Sequence, residues 1–412
     1  MIKKKMIYKT AALSIALMML AGGCGKKESS SESSVAESSA ESSVESSGST
    51  ETKESSETPE PTETPETTEI PVPTDTPEPT ETPTPTEEPA PTETPYKKYE
   101  VKELTAADDK TAPMIISITK NPTLVKGNAF DVTKYISYAD DVCRNVKLLT
   151  SGEVDINTPG DYPLSIVLKD DAGHETAAAM TVTILAEAPE KKPGGGGTVE
   201  REQFPDFLAN YKTDNTMVGI DVSKWQDKID FEKVKAAGCE FVMIRLGGYD
   251  DGSTYTDKFF ADNIKNAKAA GLKVGLYWHA EESSVEEVKN NVVYLLDVLG
   301  GESLDLPIAY DWEDFSKFPK HNMSTYDLNA CFEVFCDELH EAGYEGCIYS
   351  SKNPLGYMWT NERNHPVWMA HYTKQSNYEG EYFMWQHSCT GRIDGINGDV
   401  DLDVLYLDRI EV

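Results

Sequence analysis

Three Ala-Gly pairs, Ala237-Gly238, Ala270-Gly271 and Ala342-Gly343, constrain the fold of the C-terminal half of this chain. Each closes an amphipathic stretch (231–237, 260–270 and 326–342) and stands just before an apolar run. Glycine there tolerates the left-handed backbone that ends a helix. The runs 218–222, 241–245, 274–278 and 307–310 are apolar on both faces, as strands buried in a parallel sheet are. A further amphipathic stretch, 285–299, begins with Ser284-Val285-Glu286-Glu287, a capping-box pattern. Strands alternating with helices in this way predict a parallel βα barrel. A fifth strand is expected at 347–350, followed by 367–372, 382–388 and 400–406. The last gaps are too short for helical crossovers, so simple loops and some antiparallel pairing are expected. The predicted fold class over 216–412 is α/β, a shortened TIM-like barrel of five βα units plus three bare strands.

The N-terminal part cannot fold in this manner. Lys3, Lys4, Lys5 and Lys9 precede an apolar stretch at 10–20, too short to span a bilayer comfortably but the right length for an export signal. It ends in Leu20-Ala21-Gly22-Gly23-Cys24, which resembles a bacterial lipobox. That resemblance implies a signal peptide at 1–23, lipid on Cys24, and a membrane anchor facing the cell wall. Residues 26–58 are Ser and Glu with few apolar side chains, and 59–95 hold 12 of the 23 prolines. Neither stretch buries enough apolar surface to offset chain entropy, so 24–98 is expected to be a disordered stalk. The formal net charge of −33 argues against a nucleic-acid partner.

Between 99 and 188 the apolar runs are short: 114–118, 130–132, 146–149, 162–168 and 181–185. Turn signals such as Thr158-Pro159-Gly160 and Asp170-Asp171-Ala172-Gly173 separate them, and several runs alternate with period two. A small all-β sandwich is expected. Asn157-Thr158-Pro159-Gly160-Asp161-Tyr162 and the later Val167-Leu168-Lys169-Asp170-Asp171-Ala172-Gly173-His174 resemble bacterial immunoglobulin-like modules. His174 reads as a solvated turn residue. A Gly/Pro-rich linker is expected at 189–215.

In a parallel barrel the chemistry sits at the C-terminal strand ends. Asp221 ends the first strand, Asp311 and Glu313 end the fourth, and Asp401 lies in the last. Asp311 and Glu313 are two apart, so on a strand they share a face, with Trp312 and Asp314 on the other. Converging carboxylates raise one another's pKa, and a protonated carboxyl beside an ionised one is what glycoside hydrolysis requires.

Five motifs in order carry a resemblance to glycoside hydrolase family 25, the lysozyme-like muramidases. They are Gly219-Ile220-Asp221-Val222-Ser223-Lys224-Trp225-Gln226, Asp311-Trp312-Glu313, Trp368-Met369-Ala370-His371-Tyr372, Trp385-Gln386, and Asp394-Gly395-Ile396-Asn397-Gly398-Asp399-Val400-Asp401-Leu402. The resemblance implies cleavage of the β-1,4 bond between N-acetylmuramic acid and N-acetylglucosamine in peptidoglycan. It also implies Glu313 as general acid/base, Asp311 as its partner at the acetamido group, and Asp221 and Asp401 in support. Arg245-Leu246-Gly247-Gly248-Tyr249 and His279 depart from the pattern of many members.

Trp225, Tyr277, His279, Tyr372, Trp385 and Gln386 are expected to line a sugar groove. No metal or cofactor is expected: the histidines lack ligand spacing and no phosphate loop precedes a helix. The cysteines beyond Cys24 do not form a disulfide framework and are expected to be mainly buried thiols. Two other functions fit less well, a catalytically silent wall-binding lipoprotein and a hydrolase of another N-acetylated polysaccharide. The paired acids at 311 and 313 favour a peptidoglycan hydrolase.

Overall fold

The computed structural model describes residues 96–189 and 200–410. The export signal, Cys24 and the stalk expected at 24–98 lie almost entirely outside the described residues.

The first folded part is all β. Strands β1 (Met114–Ile118), β2 (Thr123–Val125), β3 (Ile136–Ala139), β4 (Lys147–Ser151), β5 (Gly160–Lys169) and β6 (Glu175–Leu185) form two sheets. One pairs β1 with β3; the other has the order β2-β6-β5-β4. Leu164, Ile166 and Leu168 on β5 and Met180, Val182 and Ile184 on β6 face one core, with Leu124, Ile136 and Tyr138. This is the period-two pattern of the sequence turned inward. One expected strand is absent and another was not foreseen. Residues 130–132 form no strand; a 3-10 turn, Val132–Lys134, begins there, capped by Asp131, whose side chain accepts from the Thr133 amide. β3 was not expected, since its four residues, Ile136-Ser137-Tyr138-Ala139, make too short an apolar run to stand out.

The second part begins earlier than expected. Helix α1 (Phe204–Tyr211) lies inside the stretch read as linker. Phe204 and Phe207 are spaced for one helix face and are fully buried in the barrel core. Then follow β7 (Thr216–Val222), α2 (Phe231–Ala236), β8 (Phe241–Asp250), β9 (Ser253–Thr256), α3 (Phe260–Ala269), β10 (Lys273–His279), α4 (Val285–Leu299) and β11 (Ile308–Asp311). Next come α5 (Phe318–His321), α6 (Thr325–Glu341), β12 (Gly346–Ser351), α7 (Lys352–Leu355), β13 (Val367–Ala370), β14 (Met384–Gly391) and β15 (Val400–Tyr406).

The nine-stranded sheet has the order β10-β11-β12-β13-β14-β15-β7-β8-β9, and β10 also pairs with β8. That pairing closes the other strands into a ring and leaves β9 as a hairpin arm of β8. Gly238, Gly271 and Gly343 have φ of 100°, 74° and 83°, the left-handed caps their position predicts.

The ring is parallel except at β15, which runs antiparallel to β14 and β7. β13 and β14 are parallel, against the simple reversal their sequence spacing suggested. β13 stops at Ala370 and β14 starts at Met384, so the irregular connection is long enough for a crossover. The fifth helical unit shrinks to the single turn α7. Cys143, Cys239, Cys331, Cys336 and Cys347 are buried thiols.

The two parts share an interface. The Thr325 and Tyr326 amides, in the first turn of α6, donate to the carbonyls of Asp140 (2.8 Å) and Asp141 (3.2 Å). Arg144 grips Asp327 through Nε (2.9 Å) and Nη2 (2.7 Å). Ala139 is buried in the same cluster as the barrel core, and Met114 and Ile116 pack against it.

Candidate active site

A cleft of about 940 Å³ opens at the end of the ring where the parallel strands finish. Asp221, Asp311, Glu313 and Asp401 all line it. Asp401 stands near the start of β15, and because that strand is reversed, it pairs directly with Asp221 near the end of β7. Asp311 is the last residue of β11 and Glu313 lies just beyond the strand. Trp312 points away and is fully buried, its ring 5.6 Å from Phe315 and 5.0 Å from Phe318, its Nε1 donating to the Glu282 carbonyl at 3.1 Å. Trp312 therefore anchors the backbone between the two acids. Asp314 does not follow the expected alternation: the chain has left the strand, and Asp314 lines the cleft too.

The electrostatics follow from burial. Desolvation pushes Asp221 and Asp311 up to about 7. In both cases Arg245 pulls the other way. Glu313 rises well above the ordinary carboxyl range through burial first, then through Asp311, Asp221 and Asp314. Asp401 rises similarly, through burial, Asp221 and Glu313. His279 falls to about 4, because burial and Arg245 disfavour its cation. The site thus holds four carboxyls that cannot all ionise together near neutrality.

Asp221 has a specific donor. Gln386 Nε2 lies 2.6 Å from Asp221 Oδ2, while Gln386 Oε1 accepts from Tyr349 Oη (2.8 Å) and Tyr372 Oη (2.9 Å). The two phenols fix which end of the amide faces the carboxylate. Gln386 is 3% exposed and its amide is committed, so it positions Asp221 and is not a free sugar contact.

Trp225, Tyr277, His279 and Tyr372 line the cleft. Trp225 is held at the rim by a 3-10 turn, Lys224–Gln226, that Ser223 caps. Trp225 is 38% exposed and Tyr372 37%, and Lys224 Nζ lies 4.9 Å from the centroid of the Trp225 ring. Trp385 does not belong to the groove. Gln386 takes the inward position on β14, so its neighbour must face outward. Trp385 packs there against Tyr211 and His387, with Nε1 donating to the His371 carbonyl at 2.8 Å.

Several lining residues escaped the sequence reading. Arg245 is the buried cation of the site, gripping Asp257 Oδ2 through Nε (2.9 Å) and Nη2 (2.7 Å). A single Arg inside an apolar strand run was its visible signal. Tyr349 and Tyr357 also line the cleft. So do Ile116, Ser117 and Ser137 of the β part, which no local signal could place there.

An autolytic lysozyme of Clostridium acetobutylicum is 30% identical over 189 residues, covering 45% of this chain and 55% of its own length. Lysozyme M1 of Streptomyces globisporus is 32% identical over 205 residues, covering 44% of this chain and 65% of its own. The chain thus spans little more than half to about two thirds of the length of these relatives. A solved family 25 glycosyl hydrolase from Bacillus anthracis is 20% identical, with 51% of this chain and 95% of that chain covered and a TM-score of 0.42. The family model of glycosyl hydrolases family 25 matches residues 220–396, a stretch that lies within the barrel.

Proposed function

We propose that this chain is a peptidoglycan hydrolase that cuts the β-1,4 bond between N-acetylmuramic acid and N-acetylglucosamine. The observation that carries this reading is the meeting of Asp311 and Glu313 in one cleft with Glu313 held above the ordinary carboxyl range. A carboxyl that keeps its proton near neutrality can give it to a leaving glycosidic oxygen. The relatives named as lysozymes support the same substrate class.

In the proposed reaction Glu313 protonates the oxygen of the departing N-acetylglucosamine. The acetamido oxygen of the muramic acid attacks its own anomeric carbon as the glycosidic bond breaks. Asp311 accepts the acetamido N–H and offsets the positive charge of the oxazolinium intermediate. Glu313, now ionised, takes a proton from water, which opens the intermediate at the anomeric carbon with overall retention. Asp221 and Asp401 flank the acid pair in support. Trp225, Tyr277 and Tyr372 offer ring faces to the sugars. Substrate-assisted catalysis of this kind needs no second enzymic nucleophile.

The motif at Leu20–Cys24 supports a lipid anchor, the 24–98 composition supports a stalk reaching from membrane to wall, and the two-sheet part supports an immunoglobulin-like spacer. The deciding experiment incubates the purified protein with peptidoglycan, reduces the products with borohydride and identifies the modified sugar. Reduced muramic acid is expected. Reduced glucosamine alone, or no product, overturns the assignment.

A further inference from the structure

A second concentration of carboxylates lies in the β part, away from the cleft. Asp109 precedes β1, Asp140 and Asp141 follow β3, and Asp170 follows β5, with His174 in the same turn. Asp109, Asp140 and Asp170 are 3%, 0% and 2% exposed. Carboxylate oxygens of Asp109, Asp140 and Asp141 lie within 4.8 Å of one another. So do ligand atoms of Asp109, Asp170 and His174, which makes Asp109 common to both groups.

Local backbone satisfies only part of this charge. Asp140 Oδ1 accepts from the amides of Val142 (2.9 Å) and Cys143 (2.6 Å). Asp170 Oδ1 accepts from Gly173 (2.6 Å) and His174 (2.8 Å). Asp109 Oδ2 and Asp140 Oδ2 are buried with no hydrogen-bond partner. Leaving such oxygens dry is costly unless something cationic meets them. Another acidic trio, Asp250, Asp251 and Glu281, has its cations: Lys317 reaches Asp250 and Glu281, and Lys320 reaches Asp251. Among the described residues the β cluster has only His174 as an ion-pair partner, 2.9 Å from Asp170 and 3.6 Å from Asp109. His174, partly exposed in its turn, thus also serves as a partner to these carboxylates. Burial and mutual repulsion push Asp140 up to about 6 and raise Asp109.

We propose that Asp109, Asp140 and Asp141, with Asp170 beside Asp109 and completed by water or backbone oxygens, bind a Ca²⁺ ion. Ca²⁺ takes oxygen ligands at about 2.3–2.6 Å in irregular geometry, so opposite ligands stand ~5 Å apart. The spacing of Asp109, Asp140 and Asp141, and of Asp109 and Asp170, fits within that span. Mg²⁺ needs a tighter octahedron and gives up its water reluctantly, and Zn²⁺ prefers nitrogen and sulfur. His174 Nδ1 is spent on Asp170 Oδ2 and orients that carboxylate. The bound ion also fixes the segment whose carbonyls, Asp140 and Asp141, receive the first amides of α6. It would therefore hold the β part against the barrel.

The test uses the full chain after chelation, titrated calorimetrically with Ca²⁺ alone and, in parallel, with Mg²⁺ alone. Thermal unfolding is followed in CaCl₂ and in EDTA. Expected are a single tight Ca²⁺ site, weaker Mg²⁺ binding and a higher Tm with Ca²⁺. Asp109→Asn and Asp140→Asn should each weaken that site roughly tenfold or more and remove the Ca²⁺-dependent rise. Both variants keep every acid of the N-terminal tract, so non-specific binding there is controlled. Asp141→Asn, at a less buried ligand, provides the same comparison should a buried variant misfold. Identical Tm in CaCl₂ and EDTA, or unchanged Ca²⁺ affinity in the folded variants, overturns the proposal.

Discussion

Gln386 donates its amide N–H to Asp221 at 2.6 Å, from the strand that lies on the far side of β15 from β7. The hydrogen bond favours the ionised form of Asp221, while burial favours the neutral one. Replacing Gln386 by Leu removes this donor and leaves the phenols of Tyr349 and Tyr372 without their shared acceptor. A hydrogen bond to a charged group contributes about 1.5–3 kcal/mol. The variant should lose roughly 10–100-fold in kcat with a smaller change in KM, and its pH–rate profile should shift. An unshifted profile with normal kcat would free Asp221 from any dependence on Gln386.

Glu313→Gln preserves shape and removes the transferable proton. Loss of general acid–base catalysis costs ~10²–10⁴-fold. Release of reducing ends should fall by that factor while binding to insoluble wall persists. Near-normal turnover would exclude Glu313 as the acid.

Stability should fall as pH rises. Asp221 and Asp311 are raised from 3.8 to about 7, so between those values the folded protein binds more protons than the unfolded chain. Their stabilising contribution is complete below the unfolded value and disappears as pH passes the folded one. The barrel should therefore melt higher at pH 5 than at pH 8, and Asp311→Asn should reduce that difference. Calorimetric scans at the two pH values decide it; a Tm that rises toward pH 8 contradicts the burial argument.

Ser117 is exposed on β1, yet lines the cleft of the barrel. Ser117→Trp should narrow that wall and raise KM several-fold on polymeric glycan, with Tm unchanged and short fragments cut at the normal rate. Equal kinetics on both substrates would place the bound strand elsewhere.

Cys24→Ala should move the protein from the membrane fraction to the medium. Wild-type protein recovered wholly in soluble form would remove the anchor. Peptidoglycan with de-N-acetylated muramic acid should resist cleavage, since its internal nucleophile is missing; rapid cleavage would point to an enzymic one.

Much of the barrel was legible because its signals are local. Gly238, Gly271 and Gly343 each report a backbone angle. Asp221, Asp311, Glu313 and Asp401 sit at strand ends that apolar runs locate. What escaped depends on distant parts meeting. Trp385 and Gln386 are neighbours in sequence, and only the orientation of β14 decides which enters the cleft. Phe204 and Phe207 sit in a stretch read as linker, and their burial comes from the barrel they cover. The buried carboxylates of the β part come from three turns, and no single turn announces the cluster.

The seat of the β part on α6 bears on how such chains can evolve. Modules joined by flexible tethers are exchangeable, since replacing one leaves its neighbour intact. Here the carbonyls of Asp140 and Asp141 satisfy α6 amides, Ala139 is buried with the barrel core, and Ile116 forms part of the cleft wall. Recombination that substituted another β module would expose a helix terminus and open one side of the groove. Descendants of this chain should therefore inherit the two parts as one unit.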